Sequence, residues 1–453
     1  MNKTLLCFLA FAASFTGCRK YLNKISDSSL IVPDNVPDMW KLIDNIENTI
    51  NSTPGLGQLG TTDYWYPDAM WPALSPLVQN ASTWQTNIDQ GDKPPSWFSP
   101  YQAIFNANAI LINIPNVNIG GPSDVEQLQY IKGSALFLRA FHLYHLEETY
   151  GQPFDPATAS SDLGVIIRTT ENMYDKTGRS YVLQVFKQIT SDLGHAVPLL
   201  PQPLQYLHRN RPCKAAALAL LSTVYLSMQQ YDSALVYADS SLRYNNQLID
   251  YNDINPSVPF AYTGNEEVLF QASAVSIPGQ STPYVFVDSD LYRSYAADDL
   301  RKTVFFRPAS SGIGYYMRPG YSGAFTLFSG VAADETWLTR AECLARLGQI
   351  QEAIETLNGF LLYRYRTGTF QPYAAGTAGE ALRVILEHRR KEILFREGRW
   401  ADLRRLNQDP RFADTLARVV NGRSYILPPG DNRYTYPIPE QEILLGGIQQ
   451  NPR

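Results

Sequence analysis

Two segments of the chain share one spacing of small and apolar residues, and each predicts a pair of antiparallel helices. The earlier pair covers residues 214–229 and 232–242, and the later pair covers residues 335–347 and 351–362 with Gly348 in its turn. A helix pair of roughly 34 residues cannot cover its own apolar face, so it needs neighbouring pairs to pack against. The hairpins therefore favour a stacked helical scaffold.

The residues at the predicted helix crossings indicate a tetratricopeptide-like repeat. Ala341 in the later hairpin and Ser222 in the earlier one take the same small position. Small side chains let two helices approach closely, and aromatic residues fill the gaps between neighbouring pairs. Two further helical regions lie around 98–150 and 180–197. We therefore expect a mainly α fold with about four helix pairs.

Two aromatic-rich insertions interrupt the helical pattern. Residues 51–97 hold four of the seven Trp, and residues 244–333 are rich in Tyr, Ser, Gly and Pro, with short β-like runs at 268–271 and 284–287. Aromatic residues make up 12% of the chain, with 28 Tyr against 20 Phe. A Tyr ring with its hydroxyl suits a hydrated binding surface. Long loops in a compact protein are usually functional, so we expect the insertions to carry the site.

The N-terminus predicts a lipoprotein signal. Lys3 precedes an apolar run over residues 5–15, and small residues then lead to Cys18. A helix of about eleven residues is too short to span a hydrocarbon core of ~30 Å. The pattern predicts a signal peptide over residues 1–17, whose removal leaves Cys18 as an acylated first residue, for example with palmitate. Two or three acyl chains would anchor the protein stably on a membrane.

Charge and motifs exclude several function classes. The net charge is −5, which argues against a nucleic-acid partner. Cys213 and Cys343 lie in alanine-rich helical patterns and are expected to be small buried residues, not a disulfide or a nucleophile. His142 and His145 lack a third metal ligand. With no hydrolase, zinc-protease or nucleotide-binding motif, we expect no enzyme, metal or cofactor.

Four segments carry a resemblance to a known family. Residues 385–395 read ILEHRRKEILF, residues 399–407 read RWADLRRLN, and residues 436–440 read YPIPE. The block at 139–151 begins with Arg-Ala-Phe and ends with Tyr-Gly. Together with the start at Cys18, these segments make the chain resemble the SusD/RagB family of surface lipoproteins from Bacteroidota.

The resemblance implies an N-terminal region at 18–243 and a C-terminal region at 244–453, with four tetratricopeptide-like helix pairs. It also implies a role as an extracellular lid on a SusC-like TonB-dependent outer-membrane transporter, where the protein captures a nutrient for uptake. Glycans are the commonest ligands in the family and peptides are a second class. Charged residues of the signature helices are expected to fix helix ends. These are Glu387, Arg389, Arg390, Glu392 and Asp402.

The candidate ligand contacts come from both insertions, because sugar C–H faces pack on aromatic rings and hydroxyls need planar polar partners. The candidates are Asp63, Trp65, Tyr66, Trp71, Trp84, Tyr292, Tyr315, Tyr316, Arg318 and Tyr321. The alternative hypothesis is a helical-repeat scaffold that binds only protein partners. Clustering of the rings on one open face would favour ligand capture, and burial of the rings would favour the scaffold.

Overall fold

The protein is described by a computed structural model. The described residues are 33–89, 94–172, 178–202, 207–258, 265–280 and 285–453. The predicted signal peptide and Cys18 lie outside these residues, so the lipid anchor stays a prediction. None of the helices in the described ranges combines the length and apolar composition that crossing a bilayer requires.

The described residues form a mainly helical fold, which confirms the predicted fold class. The α-helices are α1 (Val36–Ile43), α2 (Leu56–Gly60), α3 (Pro76–Ser82), α4 (Pro95–Asn113), α5 (Pro122–Tyr150), α6 (Val182–Ala196), α7 (Lys214–Ser227), α8 (Tyr231–Tyr244), α9 (Ser289–Ser294), α10 (Arg301–Val304), α11 (Ala333–Arg346), α12 (Ile350–Leu361), α13 (Ala378–Glu392), α14 (Gly398–Leu406) and α15 (Glu440–Gly446). The strands are β1 (Tyr64–Trp65), β2 (Val268–Phe270), β3 (Phe286–Val287), β4 (Phe306–Pro308), β5 (Tyr315–Met317), β6 (Val331–Ala332), β7 (Leu416–Val420) and β8 (Arg423–Leu427).

Both predicted hairpins are present and share one geometry. Helices α7 and α8 form the earlier hairpin, and α11 and α12 form the later one. Their turns use a left-handed residue at the same place, Gln229 with φ +58° and Gly348 with φ +80°. Helix α8 packs on α11. The two hairpins therefore lie side by side, although the second insertion separates them in sequence.

Local sequence signals explain where the other long helices begin. Helix α5, within the predicted helical region around 98–150, starts at Pro122, because Pro is well suited to the first helical turn. Thr377 starts α13 through a capping box in which Glu380 N donates to the Thr377 hydroxyl and Thr377 N donates to the Glu380 carboxylate. Helix α4 packs on α5 and α5 on α6, which extends the stacked array.

The described residues contain four two-stranded antiparallel sheets, and the insertions contribute three of them. Strand β1 of the first insertion pairs with β3 of the second, β2 pairs with β6, and β4 pairs with β5. Strands β7 and β8 form a C-terminal hairpin. The β1–β3 pairing joins segments more than two hundred residues apart in sequence, which local patterns do not specify.

The core continues from the helices into the insertions. One large cluster of buried apolar residues runs from Val36 to Ile448, and a second lies within α11, α12 and α13. The large cluster includes residues on both sides of the predicted boundary at 243/244. The division of the chain into two regions therefore stays a prediction from the sequence. Cys213 and Cys343 are buried and unpaired.

Four of the five charged residues of the signature helices link separate elements, which corrects the expectation that they fix helix ends, and the fifth, Glu387, pairs with Lys391 within α13. Arg389 of α13 donates to Asp402 of α14 and to Glu335 of α11, both at 2.7 Å. Glu392 accepts from Arg364 at 2.8 Å. The pairs with Asp402 and Arg364 are buried and the pair with Glu335 is partly buried, so together they hold α13 in one position between its neighbours.

Candidate functional site

A pair of aromatic side chains forms where the two insertions meet. In the β1–β3 pairing, Trp65 lies opposite Phe286. Their ring centroids are 5.0 Å apart with an interplanar angle of 31°. Phe286 is buried and Trp65 is partly exposed, so the buried ring supports one face of the exposed one.

The two-stranded ribbon β4–β5 adds a third ring. Tyr316 lies 4.6 Å from Phe286 between ring centroids. A side chain at Gly314 would place its Cβ 3.0 Å from Phe286, closer than an ordinary van der Waals contact, so glycine lets the ribbon approach without displacing this ring. Trp65, Phe286 and Tyr316 together are called the aromatic ledge below. Its two outer rings are partly exposed and its central ring is buried.

The opposite face of the ribbon fastens it to α9. Tyr315 stacks on Tyr292 with centroids 3.6 Å apart and an interplanar angle of 15°. Phe306 packs edge-on to Tyr292 at 5.5 Å. Lys302 places its ammonium 4.8 Å from the Tyr292 ring centroid. The ribbon therefore uses one face for attachment and presents Tyr316 on the other.

A cleft begins beside the ribbon. It is lined by Arg318 and Phe325, among others, and Phe325 is 42% exposed. Arg318 donates from Nη1 to the carbonyl of Thr303 at 3.2 Å and from Nη2 to the carbonyl of Val258. Burial and the neighbouring Arg307 lower the pKa of Arg318. The cleft thus combines aromatic and cationic side chains.

Buried ion pairs stiffen one wall of this cleft. Glu392 and Arg396 line the cleft, and both have charged partners in the interior. Arg364 donates to Glu392 at 2.8 Å and to Glu267 at 2.7 Å, and Arg396 donates to Asp334 at 2.8 Å. Fully paired buried charges resist rearrangement, because any displacement leaves a charge without its partner. The wall is therefore fixed before any ligand arrives.

Family comparisons match both ends of the chain. A model described as starch-binding and associating with the outer membrane matches residues 20–226. A model described as the SusD family matches residues 334–453. The chain belongs to the SusD family. Residues 227–333, which contain the ribbon and Phe286, lie between the two matched ranges.

Individual SusD relatives agree with this assignment. The SusD-like protein P2 from Formosa agariphila is 25% identical over 414 residues, covering 76% of this chain and 78% of the relative. A SusD superfamily structure from Bacteroides thetaiotaomicron has a TM-score of 0.74 at 23% identity, covering 92% of this chain and 100% of its own. A laminarin-binding SusD-like protein has a TM-score of 0.69 at 17% identity, covering 93% of this chain and 100% of its own. These structures share the SusD fold.

Burial corrects four of the predicted ligand contacts in this SusD family member. Trp84 is 2% exposed and donates from Nε1 to the Gly60 carbonyl at 2.9 Å. Tyr66 and Tyr321 are also buried, and the Tyr321 hydroxyl donates to Glu267. Trp84 and Tyr66 fill the interior, and Tyr321 lines the cleft but is only 3% exposed, so none of the three offers an open ring face to a ligand. The fourth is Asp63.

Asp63 has a structural role beneath the ledge. Its carboxylate is 1% exposed and accepts from Arg390 of α13 at 2.6 Å. A second guanidinium, that of Arg399, lies 3.5 Å away. The Asp63 backbone carbonyl accepts from Asp288 N at 2.9 Å, beside the β1–β3 pair. Asp63 therefore fixes β1 and its neighbour Trp65 to the SusD signature helices.

The remaining candidates are partly exposed, but the structure does not bring all of them together. Trp65 and Tyr316 meet through Phe286, and Tyr292 and Tyr315 stack on each other. Trp71 packs edge-on to the buried Tyr66 ring with centroids 5.7 Å apart. The ledge and the adjoining cleft therefore make the better-formed site, and Trp71 is peripheral to it.

A second aromatic cleft lies along α4. Phe98, Tyr101 and Phe105 recur at helical spacing on one side of this helix, and Arg168 and Glu442 also line the cleft. Helical spacing of aromatic residues was the signal that could have identified this cleft from sequence. Tyr101 accepts from Ile166 N at 3.1 Å, which ties its ring to the facing loop.

Sequence reasoning also missed Phe286, Arg307 and Phe325. Phe286 falls in the predicted β-like run at 284–287, and residue 284 lies outside the described residues. The continuous apolar character of this run could have marked Phe286 as buried, but only the pairing with β1 places it against Trp65. Arg307 could not be identified from sequence, because only the pairing of β4 with β5 places it opposite Tyr316.

The histidines of α5 are structural. His142 is buried, and its Nε2 lies 2.6 Å from the Thr49 carbonyl oxygen. Burial lowers its pKa to about 3, so it is neutral at physiological pH. His145 lies 3.1 Å from Glu397. Within the described ranges, no group of three or more His, Cys, Asp or Glu side chains is arranged to hold a metal ion.

Proposed function

We propose that this SusD family protein captures an extracellular glycan on the aromatic ledge and delivers it to a SusC-like TonB-dependent transporter, without chemical conversion of the glycan. In this role Cys18 carries the lipid anchor, and the protein faces outward from the outer membrane. The observation that carries the proposal is the ledge itself, in which partly exposed Trp65 and Tyr316 are held by the buried Phe286.

The ledge suits a sugar for two physical reasons. Sugar rings expose C–H groups that pack on flat aromatic faces, and fixed rings lose little conformational entropy when a ligand binds. Asp63 and the Tyr292–Tyr315 stack hold the two sides of the ledge in place. The adjoining cleft supplies guanidinium and backbone groups for hydroxyls.

The relatives favour a glycan over a peptide. One solved SusD-like neighbour is described as laminarin-binding, and a neighbour from Bacteroides vulgatus is described as a putative sugar binding protein. The family model that matches residues 20–226 is described as starch-binding and associating with the outer membrane. These descriptions support both the ligand class and the location that we propose.

Replacement of Trp65 tests this proposal. Trp65→Ala removes an outer ring of the ledge and should weaken glycan binding by ~1–3 kcal/mol, the range for loss of a well-packed aromatic anchor. Isothermal titration against the glycan selected from an array measures the change. Phe98→Ala, which removes a partly exposed ring from the cleft along α4, is the matched control and should leave the affinity unchanged.

The opposite pattern would contradict the assignment. If Phe98→Ala weakens binding and Trp65→Ala does not, the ligand binds along α4. If the array shows no glycan or peptide binding and the protein retains only its transporter partner, the scaffold hypothesis is favoured.

A further inference from the structure

Two guanidinium groups share the exposed face of the β4–β5 ribbon with the ledge. Arg307 lies directly opposite Tyr316 in the antiparallel register. Arg318 follows Tyr316 by two residues and continues the ladder, since Arg318 N donates to the Phe305 carbonyl at 2.8 Å. Residues that are opposite, or two apart on one strand, point to the same side of a sheet. Arg307, Tyr316 and Arg318 therefore form one surface.

Neither guanidinium has a carboxylate partner in the part of the chain that the structure describes. Arg318 donates to two backbone carbonyls, and Arg307 lies 5.8 Å from the ring centroids of Tyr316 and Phe325. The preceding arginines differ, because Arg293 pairs with Asp290 and Arg301 pairs with Asp299. Residues 259–264, which follow Val258, contain no acidic residue.

Two uncompensated like charges at neighbouring positions repel each other, and an anion placed between them would relieve this repulsion. The lowered pKa of Arg318, caused by burial and by Arg307, is consistent with that repulsion. The chain as a whole carries a net charge of −5, so a polyanion gains no general attraction to the protein. Any preference for anions must arise locally.

We propose that the ligand of the ledge is an anionic glycan, whose carboxylate or sulfate groups bind Arg307 and Arg318 while its sugar rings pack on Trp65 and Tyr316. This inference rests on the proposed function and specifies the substrate class of the same site. A guanidinium presents paired N–H donors that match the oxygens of a carboxylate or a sulfate. Phe325 and Arg318 line the cleft, so charged groups would be held at its rim.

Matched charged and neutral polysaccharides test the inference. Polygalacturonate is compared with its fully methyl-esterified form, and dextran sulfate is compared with dextran, by affinity electrophoresis and titration calorimetry. At least one charged form should bind at least about ten-fold more tightly than its neutral counterpart, and this advantage should shrink as salt is added. The carboxylated and sulfated arms distinguish which anionic group is recognised.

Arg307→Gln and Arg318→Gln should each reduce binding of the preferred charged form by about ten-fold, as expected for loss of a charged hydrogen-bonding partner. Arg293→Gln, an exposed arginine of α9, is the matched control and should leave this affinity unchanged. Near-ultraviolet circular dichroism confirms that each variant keeps the native fold, and Arg307 is exposed, so at least this variant should remain folded.

The inference is overturned if neither charged form binds more tightly than its neutral match, or if Arg293→Gln loses as much affinity as Arg307→Gln. Failure of the broader function is distinguishable from these results. If a neutral glycan binds in a manner that depends on Trp65, the capture role stands and only the anionic specificity falls. If binding of a charged form depends on both arginines but not on Trp65, the ledge is not the sugar platform.

Discussion

Glu147 shows how one residue of the long helix α5 depends on its surroundings. Its carboxylate is buried and accepts from Val165 N at 2.9 Å. Gly151 and Gly164 leave room for it, since a Cβ at Gly151 would lie 2.3 Å from the carboxyl carbon. Burial raises the pKa of Glu147 to about 8, against an ordinary value near 4.5. The native state therefore retains a proton that the unfolded chain releases.

This raised pKa predicts a pH dependence of stability. Between about pH 4.5 and 8 the native state binds more protons at Glu147 than the unfolded state, so its contribution to stability falls as the pH rises, by up to about 1.4 kcal/mol per unit. Glu147→Gln removes this titration, and the variant should gain stability relative to the parent between pH 5 and pH 8. Urea unfolding at both values measures the difference.

Glu126→Gln, an exposed change on the same helix, provides the control. Its stability difference from the parent should be similar at pH 5 and pH 8. An equally constant difference for Glu147→Gln would show that Glu147 titrates normally in the native protein.

At the scale of elements, the two hairpins share a turn but not the residue that makes it. Gly348 has φ +80°, where glycine is unstrained, whereas Gln229 adopts φ +58° at the same place. The Gln229 side chain donates to Gln408 at 2.6 Å, which offsets part of its backbone strain. In the earlier hairpin the left-handed turn is therefore held by a side-chain hydrogen bond, and in the later hairpin it is made by an unstrained glycine.

Two glycines of the later hairpin should respond oppositely to alanine. Gly348→Ala should reduce the free energy of unfolding by about 1 kcal/mol, since the new Cβ meets no neighbour and only the left-handed backbone is strained. Gly359→Ala, within helix α12, should raise it by about 0.5–1 kcal/mol, because alanine is the better helix former. Thermal and urea unfolding measure both values. Equal effects of the two changes would contradict the backbone explanation.

Sequence patterns predicted the helices well but the ledge only in part. Periodicity over ten or more residues identified α7–α8 and α11–α12, because helix and hairpin formation depend on local spacing. Trp65 and Trp84 come from the same insertion, yet one is partly exposed and the other is buried. Their difference depends on long-range contacts, such as the pairing of Trp65 with Phe286 and the bond from Trp84 to Gly60.

At the scale of the whole molecule, Asp63 connects the first insertion to the C-terminal signature. The carboxylate lies between Arg390 of α13 and Arg399 of α14, so one side chain joins segments from opposite ends of the chain. The sequence presented Asp63 as a candidate ligand contact beside two threonines, and it could not show the arginines more than three hundred residues away. The family resemblance likewise identified the signature helices but not the residues with which their arginines pair.

Removal of this connection should destabilise the fold. Asp63→Ala leaves Arg390 and the buried Arg399 without their carboxylate, and should cost about 2–4 kcal/mol of unfolding free energy, slightly below the range for a fully buried pair because Arg390 is partly exposed. Urea unfolding measures the loss. Asp290→Asn, which breaks the exposed pair with Arg293, should have a much smaller effect. Similar costs for both variants would show that Asp63 is an ordinary surface ion pair.

The attachment of the β4–β5 ribbon has a consequence for how such proteins diversify. The ribbon is a dozen residues long, lies outside both family-matched ranges, and is fastened through Tyr315 on one face while Arg307 and Tyr316 occupy the other. On the ligand site that we propose, exchange of the outward residues should alter ligand preference without disturbing the helices beneath. On this proposal, substitutions in the ribbon could change which ligand is bound while costing the fold little stability.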